Sequence, residues 1–121
     1  MKFDDVVGEV TIPQHITQVG RGWQIKFTSR PHPRKNIIIR FLGEMKEIGY
    51  WSISDDIKHR GEAFSILLPN SPTPPVFNNT WVGETYRGCR ALYVPDGSVE
   101  AYKAANISNV KEILPLSEYQ G

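Results

Sequence analysis

The feature that most constrains the fold of this chain is an internal repeat. Residues 10–20 and 39–49 superimpose with a shift of 29 positions. The shift places apolar residues on apolar residues and glycine on glycine, pairing Val10 with Ile39, Ile12 with Phe41, Ile16 with Met45, Val19 with Ile48 and Gly20 with Gly49. A unit of this length cannot bury its own apolar face, so the repeat predicts units stacked on one another.

Two later segments extend the repeat. Ile66–Pro69 and Leu92–Pro95 share with Val10–Pro13 an apolar run that ends in proline. Proline ends a strand because it has no N–H to donate to a neighbouring strand. The equivalent strand positions are 29, 27 and 26 residues apart, at Ile12, Phe41, Leu68 and Val94. Short strands that alternate apolar and polar residues at such spacings predict a mainly β solenoid of about four rungs.

Helical signal is confined to the C-terminal part of the chain. Ser98 is a good N-cap residue for a helix from Val99 to about Ala105, with Val99 and Tyr102 on one face. Asn106 comes next as a stop signal. We expect this single short helix to close the stack.

The segments between the apolar runs predict loops and turns. Ser29–Asn36 is a proline-punctuated basic loop, and Asn70–Pro75 is expected to be extended with polyproline character. Gly20 and Gly49 follow the second apolar pair of each repeat. We expect tight bends there, with positive φ as a possibility that glycine allows.

The C-terminal half carries four motifs in a fixed order. They are the segment Thr73–Pro75, the strand Leu92–Pro95, the helix Ser98–Ala105 and the closing Ile113–Pro115. In this order they resemble the C-terminal end of BspA-type leucine-rich-repeat proteins, which occur in Bacteroides-group bacteria and their phages. The resemblance assigns residues 68–117 to a terminal repeat and cap, leaves 1–67 as divergent repeats and 118–121 as a tail, all within one domain of residues 1–121.

The first half of the chain departs from the pattern of that family. Thr11–Pro13 and Met45–Gly49 are similar to its repeat consensus. Trp23 and Ser52-Ile53 stand near positions where the family has an Ala-Phe pair, and its repeat-closing cysteine is present only as Cys89. The resemblance implies a protein-binding or adhesion surface and brings no catalytic residue with it.

The charge and the length of the apolar runs give no reason to expect a nucleic-acid or membrane partner. With 14 basic and 13 acidic residues the net charge is +1, which gives no reason to expect a nucleic-acid partner. The longest apolar runs are of strand length, so we expect no membrane insertion. No signal peptide is evident. We therefore expect a virion-assembled or cytoplasmic protein if the chain is complete, and a cell-surface protein if it is part of a longer array.

Residues with reactive side chains do not form a catalytic or metal-binding pattern. His15, His32 and His59 lack ligand spacing, and Cys89 is expected to be a small packing residue. The acidic pairs Asp55-Asp56 and Glu44/Glu47 are expected to be solvated. We predict no catalytic residue, no metal and no cofactor. A small enzyme of unknown class is the alternative.

Seven residues are candidates for partner binding. A basic loop beside an aromatic residue is typical of interface anchors, and three tryptophans fall 28 and 30 residues apart. The tryptophans form either an aromatic ladder in the core or an exposed stripe. The candidates are Trp23, Arg30, His32, Arg34, Lys35, Trp51 and Trp81.

These observations predict a non-enzymatic protein–protein interaction or structural module. We expect contacts from the face of the sheet and from the loops Arg30–Lys35 and Asn70–Pro75. The partner is another protein or copies of the same chain, as a homo-oligomer. Two settings fit: a surface adhesin, or a phage virion component such as a capsid decoration, fibre or tail attachment protein.

Overall fold

Short parallel strands dominate the computed structural model, which describes residues 2–6, 9–20, 24–27, 37–49, 52–55, 64–77, 89–107 and 110–119. Within those ranges there is one α-helix, α1 (Val99–Ala104), and there are 3-10 turns at Asp96–Ser98 and Leu116–Glu118. The strands are β1 (Lys2–Val6), β2 (Glu9–Ile12), β3 (Gln18–Val19), β4 (Gln24–Phe27), β5 (Ile37–Phe41), β6 (Glu47–Ile48), β7 (Ser52–Asp55), β8 (Phe64–Leu67), β9 (Val76–Phe77), β10 (Cys89–Val94) and β11 (Val110–Pro115). The prediction of a mainly β fold with a short helix is confirmed. No described helix has the length and apolar character needed to cross a membrane.

The described strands form three sheets in which every pairing is parallel. Their orders are β1-β4-β7, β2-β5-β8-β10-β11 and β3-β6-β9. The chain therefore visits the three sheets in the same order three times, and then adds β10 and β11 to the five-stranded sheet. Parallel neighbours need a long connection between them, and here the remaining strands of each circuit supply it.

The register of the strands follows the internal repeat. Val10 pairs with Ile39 and Ile12 with Phe41 in the five-stranded sheet. Val19 pairs with Ile48 in the third sheet. These are the pairs that the shift of 29 predicts. The later spacings are confirmed as well, because Ile66 lies between Ile39 and Leu92.

A cluster of buried apolar side chains forms the core of the described part of the chain. Along β2 the exposed residues Glu9 and Thr11 alternate with the buried Val10 and Ile12, as predicted. Fully burying a side chain of this size contributes roughly 1.5–3 kcal/mol, so the cluster is the main stabilising element. Its buried members are Val10, Ile12, Val19, Ile39, Phe41, Met45, Ile48, Ile66, Leu68, Leu92, Val94 and Tyr102.

The five-stranded sheet is also buried on its second face. Ile38, Ser65, Leu67 and Ala91 are all buried, yet they alternate with core residues and so lie on the side away from the core. A parallel sheet is commonly covered on both faces. The centre of this face is therefore buried, and the expectation that the face of the sheet supplies contacts stays a prediction.

Helix α1 differs from the expected helix in how it begins and in its place within the stack. Asn106 has a φ of 53° and ends the helical segment, as predicted. Ser98 makes no side-chain capping bond, because its hydroxyl donates to the carbonyl oxygen of Pro72 at 2.8 Å. The helix is not the closing element of the sheet, since β11 comes after it in the chain and pairs with β10.

Close contact between successive turns depends on Gly43. A Cβ at this position would overlap the carbonyl oxygen of Ile16 and lie 2.7 Å from that of Gln14. Both obstacles are backbone atoms, which cannot rotate away. Gly49 has no such requirement, and its φ lies outside the left-handed region, so the positive φ considered there is absent.

We predict that Gly43→Ala lowers the free energy of unfolding by about 1–3 kcal/mol, the usual cost of overpacking. Gly97→Ala is the matched control, because a Cβ there meets nothing within 4 Å. Urea denaturation of both variants measures the difference. Equal stabilities would show that the two turns are not packed as described.

Candidate interaction surface

The turns that follow the strands of the five-stranded sheet are joined to one another by backbone hydrogen bonds. Leu42 N–H donates to the carbonyl of Ile12 at 3.1 Å, and Lys46 N–H donates to that of Thr17 at 2.6 Å. Val76 N–H in turn donates to the carbonyl of Lys46 at 2.9 Å. Because each turn is hydrogen-bonded to the next, the loop Asn70–Val76 is joined to the ordered turns that precede it.

Ser71 is the buried residue that joins this loop to the preceding turn. Its Oγ accepts a hydrogen bond from Met45 N–H at 2.9 Å and donates to the carbonyl of Gly43 at 3.3 Å. Ser71 has no exposed surface. A buried hydroxyl that both donates and accepts avoids the free-energy cost of an unpaired polar group.

Helix α1 holds the same loop from a second side. Tyr102 is fully buried, and its hydroxyl donates to the carbonyl of Ser71 at 2.7 Å. The Ser98 hydroxyl donates to the carbonyl of Pro72 at 2.8 Å. At the beginning of the loop the Asn70 amide group donates to the carbonyl of Leu42 at 2.7 Å. The loop is thus tied to the preceding turn and to the following helix.

The outer side of the loop is open. Pro72 and Thr73 are exposed, whereas Pro75 is buried. Val76 begins β9 with 67% of its surface exposed, which makes it the large apolar residue that stands out on the described surface. Its register partner, Glu47, is also exposed. The result is a small surface of prolines, a threonine and a valine beside charged residues.

The expectation of an extended Asn70–Pro75 segment is wrong. The chain turns at Pro69–Asn70 and bends at Pro72–Thr73. The cause is Ser71, whose N–H donates to the carbonyl of Leu68 at 3.3 Å while its side chain bonds the preceding turn. These bonds bury Ser71, whereas the residues that follow it, Pro72 and Thr73, are exposed.

The seven residues predicted to bind a partner lie outside the described residues. They are Trp23, Arg30, His32, Arg34, Lys35, Trp51 and Trp81. Their role stays a prediction, as does the choice between an aromatic ladder and an exposed stripe.

The described part of the chain shows where several reactive residues lie. Glu44 and Glu47 are exposed, as expected, and Glu44 pairs with Lys46 at 3.2 Å. His15 is exposed in the turn after β2. Among the described residues no group of three or more His, Cys, Asp or Glu side chains could hold a metal ion. His32, His59 and Asp56 fall outside the described ranges, and the side chains of Asp55 and Cys89 are not part of the description.

Sequence reasoning misses the contacts of Ser71 and Tyr102. The sequence places Tyr102 on one face of a helix, and its burial shows that this face is the inner one. A serine between Asn70 and Pro72 carries no local sign of burial, because its partners lie on the preceding turn and the following helix. The hint that the sequence offers is that Ser71 occupies the position equivalent to Glu44 one repeat earlier, which places it beside the preceding turn.

No protein-family model matches the chain. No curated protein and no solved structure is significantly similar to it.

We predict that Tyr102→Phe lowers the free energy of unfolding by about 1–3 kcal/mol, because the buried carbonyl of Ser71 loses its donor. Tyr93→Phe is the matched control. It removes the same atom from a half-buried ring and should change stability by no more than about 0.5 kcal/mol. Chemical denaturation measures both. Equal effects would contradict the assigned bond.

The same tyrosine gives a pH dependence with a defined sign. Burial raises the pKa of the Tyr102 phenol. As pH rises above about 10, the ordinary pKa of tyrosine, the unfolded chain loses this proton first and is favoured. The stabilisation is therefore complete below that pH and is lost above it. Between neutral and strongly alkaline pH, the parent chain should lose more stability than Tyr102→Phe. Parallel pH profiles would contradict the assignment.

Proposed function

We propose that this chain is a non-enzymatic protein-interaction module, built as a short leucine-rich-repeat-like solenoid of about four rungs. The observation that carries the proposal is the loop Asn70–Val76. Ser71 anchors the loop, because its side chain bonds to Met45 and its carbonyl accepts the hydroxyl of Tyr102. Thr73 and Val76 of the same loop are exposed.

A loop of this kind is suited to binding because it is already ordered. Association of proteins costs free energy when a loop or side chain must be fixed, about 0.5–1.5 kcal/mol for each immobilised flexible side chain. Pro72, Pro74 and Pro75 restrict the backbone of the loop further. Contact residues placed on a rigid scaffold are a common arrangement in binding proteins.

The order of the strands supports the solenoid. The three circuits through the sheets repeat with the register that the sequence repeat predicts. The motifs that resemble a BspA-type C-terminus also fall on matching elements. Leu92–Pro95 lies at the end of β10, Ser98–Ala105 spans α1 and Ile113–Pro115 lies in β11.

The proposed partner is another protein or a second copy of the chain. Val10 and Ile12 are buried in β2, the first strand of the five-stranded sheet. These two residues therefore present little apolar surface at this end of the sheet, which supports contacts through surface loops. The setting is either a surface adhesin or a virion component. The basic loop Arg30–Lys35 and the three tryptophans, Trp23, Trp51 and Trp81, are proposed as further contact residues.

A photoreactive benzophenone side chain in place of Thr73 tests the proposal. We expect a discrete covalent product with a protein partner in the source cells, or with itself in the purified chain. Glu100 is the control position, because it is exposed on the adjoining helix α1 and not on the loop itself. Val76→Glu in the Thr73-labelled chain should reduce the product, since it places a charge on the exposed apolar residue.

Light scattering over a concentration series identifies which partner is involved. A constant monomeric mass directs the crosslinking to the source cells, and an oligomer directs it to the purified chain. Products that are equal at positions 73 and 100, or no product at position 73 in either setting, would overturn the proposal.

A further inference from the structure

The C-terminal end of the described chain folds back onto the five-stranded sheet. After β11 the turn Leu116–Glu118 reverses the backbone, and Tyr119 N–H donates to the carbonyl of Leu116 at 3.0 Å. The ring of Tyr119 then lies against that of Tyr93, edge to face, with centroids 5.1 Å apart at 70°. We call Leu116–Tyr119 the strap.

A row of in-register residues crosses the sheet on the face that the strap contacts. The row is Thr11, Arg40, Leu67, Tyr93 and Leu114. Its beginning is polar, and Arg40 is paired with Glu9. Its end is apolar, because Leu67 is buried and both Tyr93 and Leu114 are half-buried. Tyr119 therefore sits at the apolar end of the row.

The contacts that hold the strap are modest compared with those of the core. An edge-to-face aromatic pair contributes about 0.5–1.5 kcal/mol beyond the area it buries. The second attachment is a hydrogen bond from Ser117 N–H to Asp96 Oδ1 at 3.1 Å, which is exposed to solvent. Ser117 and Glu118 are themselves exposed. Segments with few buried contacts open at a small fraction of the global unfolding free energy.

We propose that the strap is a releasable cover for a binding site at Tyr93 and its in-register neighbour Leu114. The partner is an extended protein segment whose aromatic side chain takes the position that Tyr119 occupies in the closed state. This inference rests on the proposed function, because it identifies a second contact surface and the chemistry of its ligand. Tyr119 itself defines that chemistry: an aromatic ring presented by a chain that lies over the end of the sheet.

A permanent cap would have the same contacts but different behaviour. If Tyr119 only stabilises the fold, its ring keeps the position filled and the parent chain does not bind the peptide. If the strap is releasable, the parent chain binds the peptide and Tyr119→Ala binds it more tightly. Binding to the full chain separates the two.

The probe is a synthetic hexapeptide with the sequence of residues 116–121, titrated to millimolar concentration into full-length Tyr119→Ala and followed by amide chemical shifts. We expect shifts at Tyr93 and Leu114, with an affinity about tenfold higher than for the parent chain, because the closed strap competes by roughly 1.4 kcal/mol. Glu118→Ala is the matched control and should bind as the parent does. A peptide with alanine in place of its tyrosine should not bind.

Binding that is equal in Tyr119→Ala and the parent, or no binding to the parent, would overturn the proposal. If Tyr119→Ala loses its native spectrum, Asp96→Ala provides the second test, because it releases Ser117 without altering the rings. Crosslinking from position 73 is read separately in Tyr119→Ala. A persistent product there with no peptide binding would mean that the strap proposal has failed and the proposed function has not.

Discussion

The fold depends on how Ser71 is bonded within the stack of turns. Its hydroxyl bonds the turn before it through Met45 and Gly43, and its carbonyl accepts the hydroxyl of Tyr102 from the helix after it. One buried residue therefore joins three consecutive segments of the chain. Inside a protein such bonds are strong when complete and costly when broken, because the surroundings screen charge poorly.

This arrangement answers a difficulty that stacked parallel strands create. Neighbouring strands of a sheet lie about 4.8 Å apart, so the turns that follow them must approach one another closely and bring backbone polar groups with them. Gly43 allows that approach because a side chain would meet the backbone of Gln14 and Ile16. The polar groups of the turns then bond to each other across successive repeats. The prolines of Asn70–Val76 can stay on the surface because Ser71 supplies the inward contacts.

The sequence was informative where the fold depends on apolar periodicity. The shift that pairs Val10 with Ile39 and Val19 with Ile48 could be read directly, because a one-residue change of register would turn every apolar residue away from the core. The helix and its end at Asn106 followed from local preferences in the same way. The helix needs only neighbouring residues in the sequence, and the register needs only the repeat of the apolar pattern.

The features that could not be read depend on contacts between repeats. Ser98 is a good capping residue locally, yet its hydroxyl goes to Pro72, 26 residues away in the chain. The proline content predicted an extended loop, but the hydrogen bonds of the buried Ser71 bend it. Thr73 was included in the prediction only as part of the proline-rich loop Asn70–Pro75, and Val76 was not included in it. The tryptophan and basic residues stay predictions because they fall outside the described ranges.

Amide hydrogen exchange at Met45 tests the central claim most directly, since its N–H donates to the buried Oγ of Ser71. We predict protection comparable with that of amides in β8, and a selective loss of that protection in Ser71→Ala while the sheet amides stay protected. Exchange of the Met45 amide at the rate of an open loop in the parent chain would contradict the account, because Asn70–Val76 would then not be hydrogen-bonded to the preceding turn.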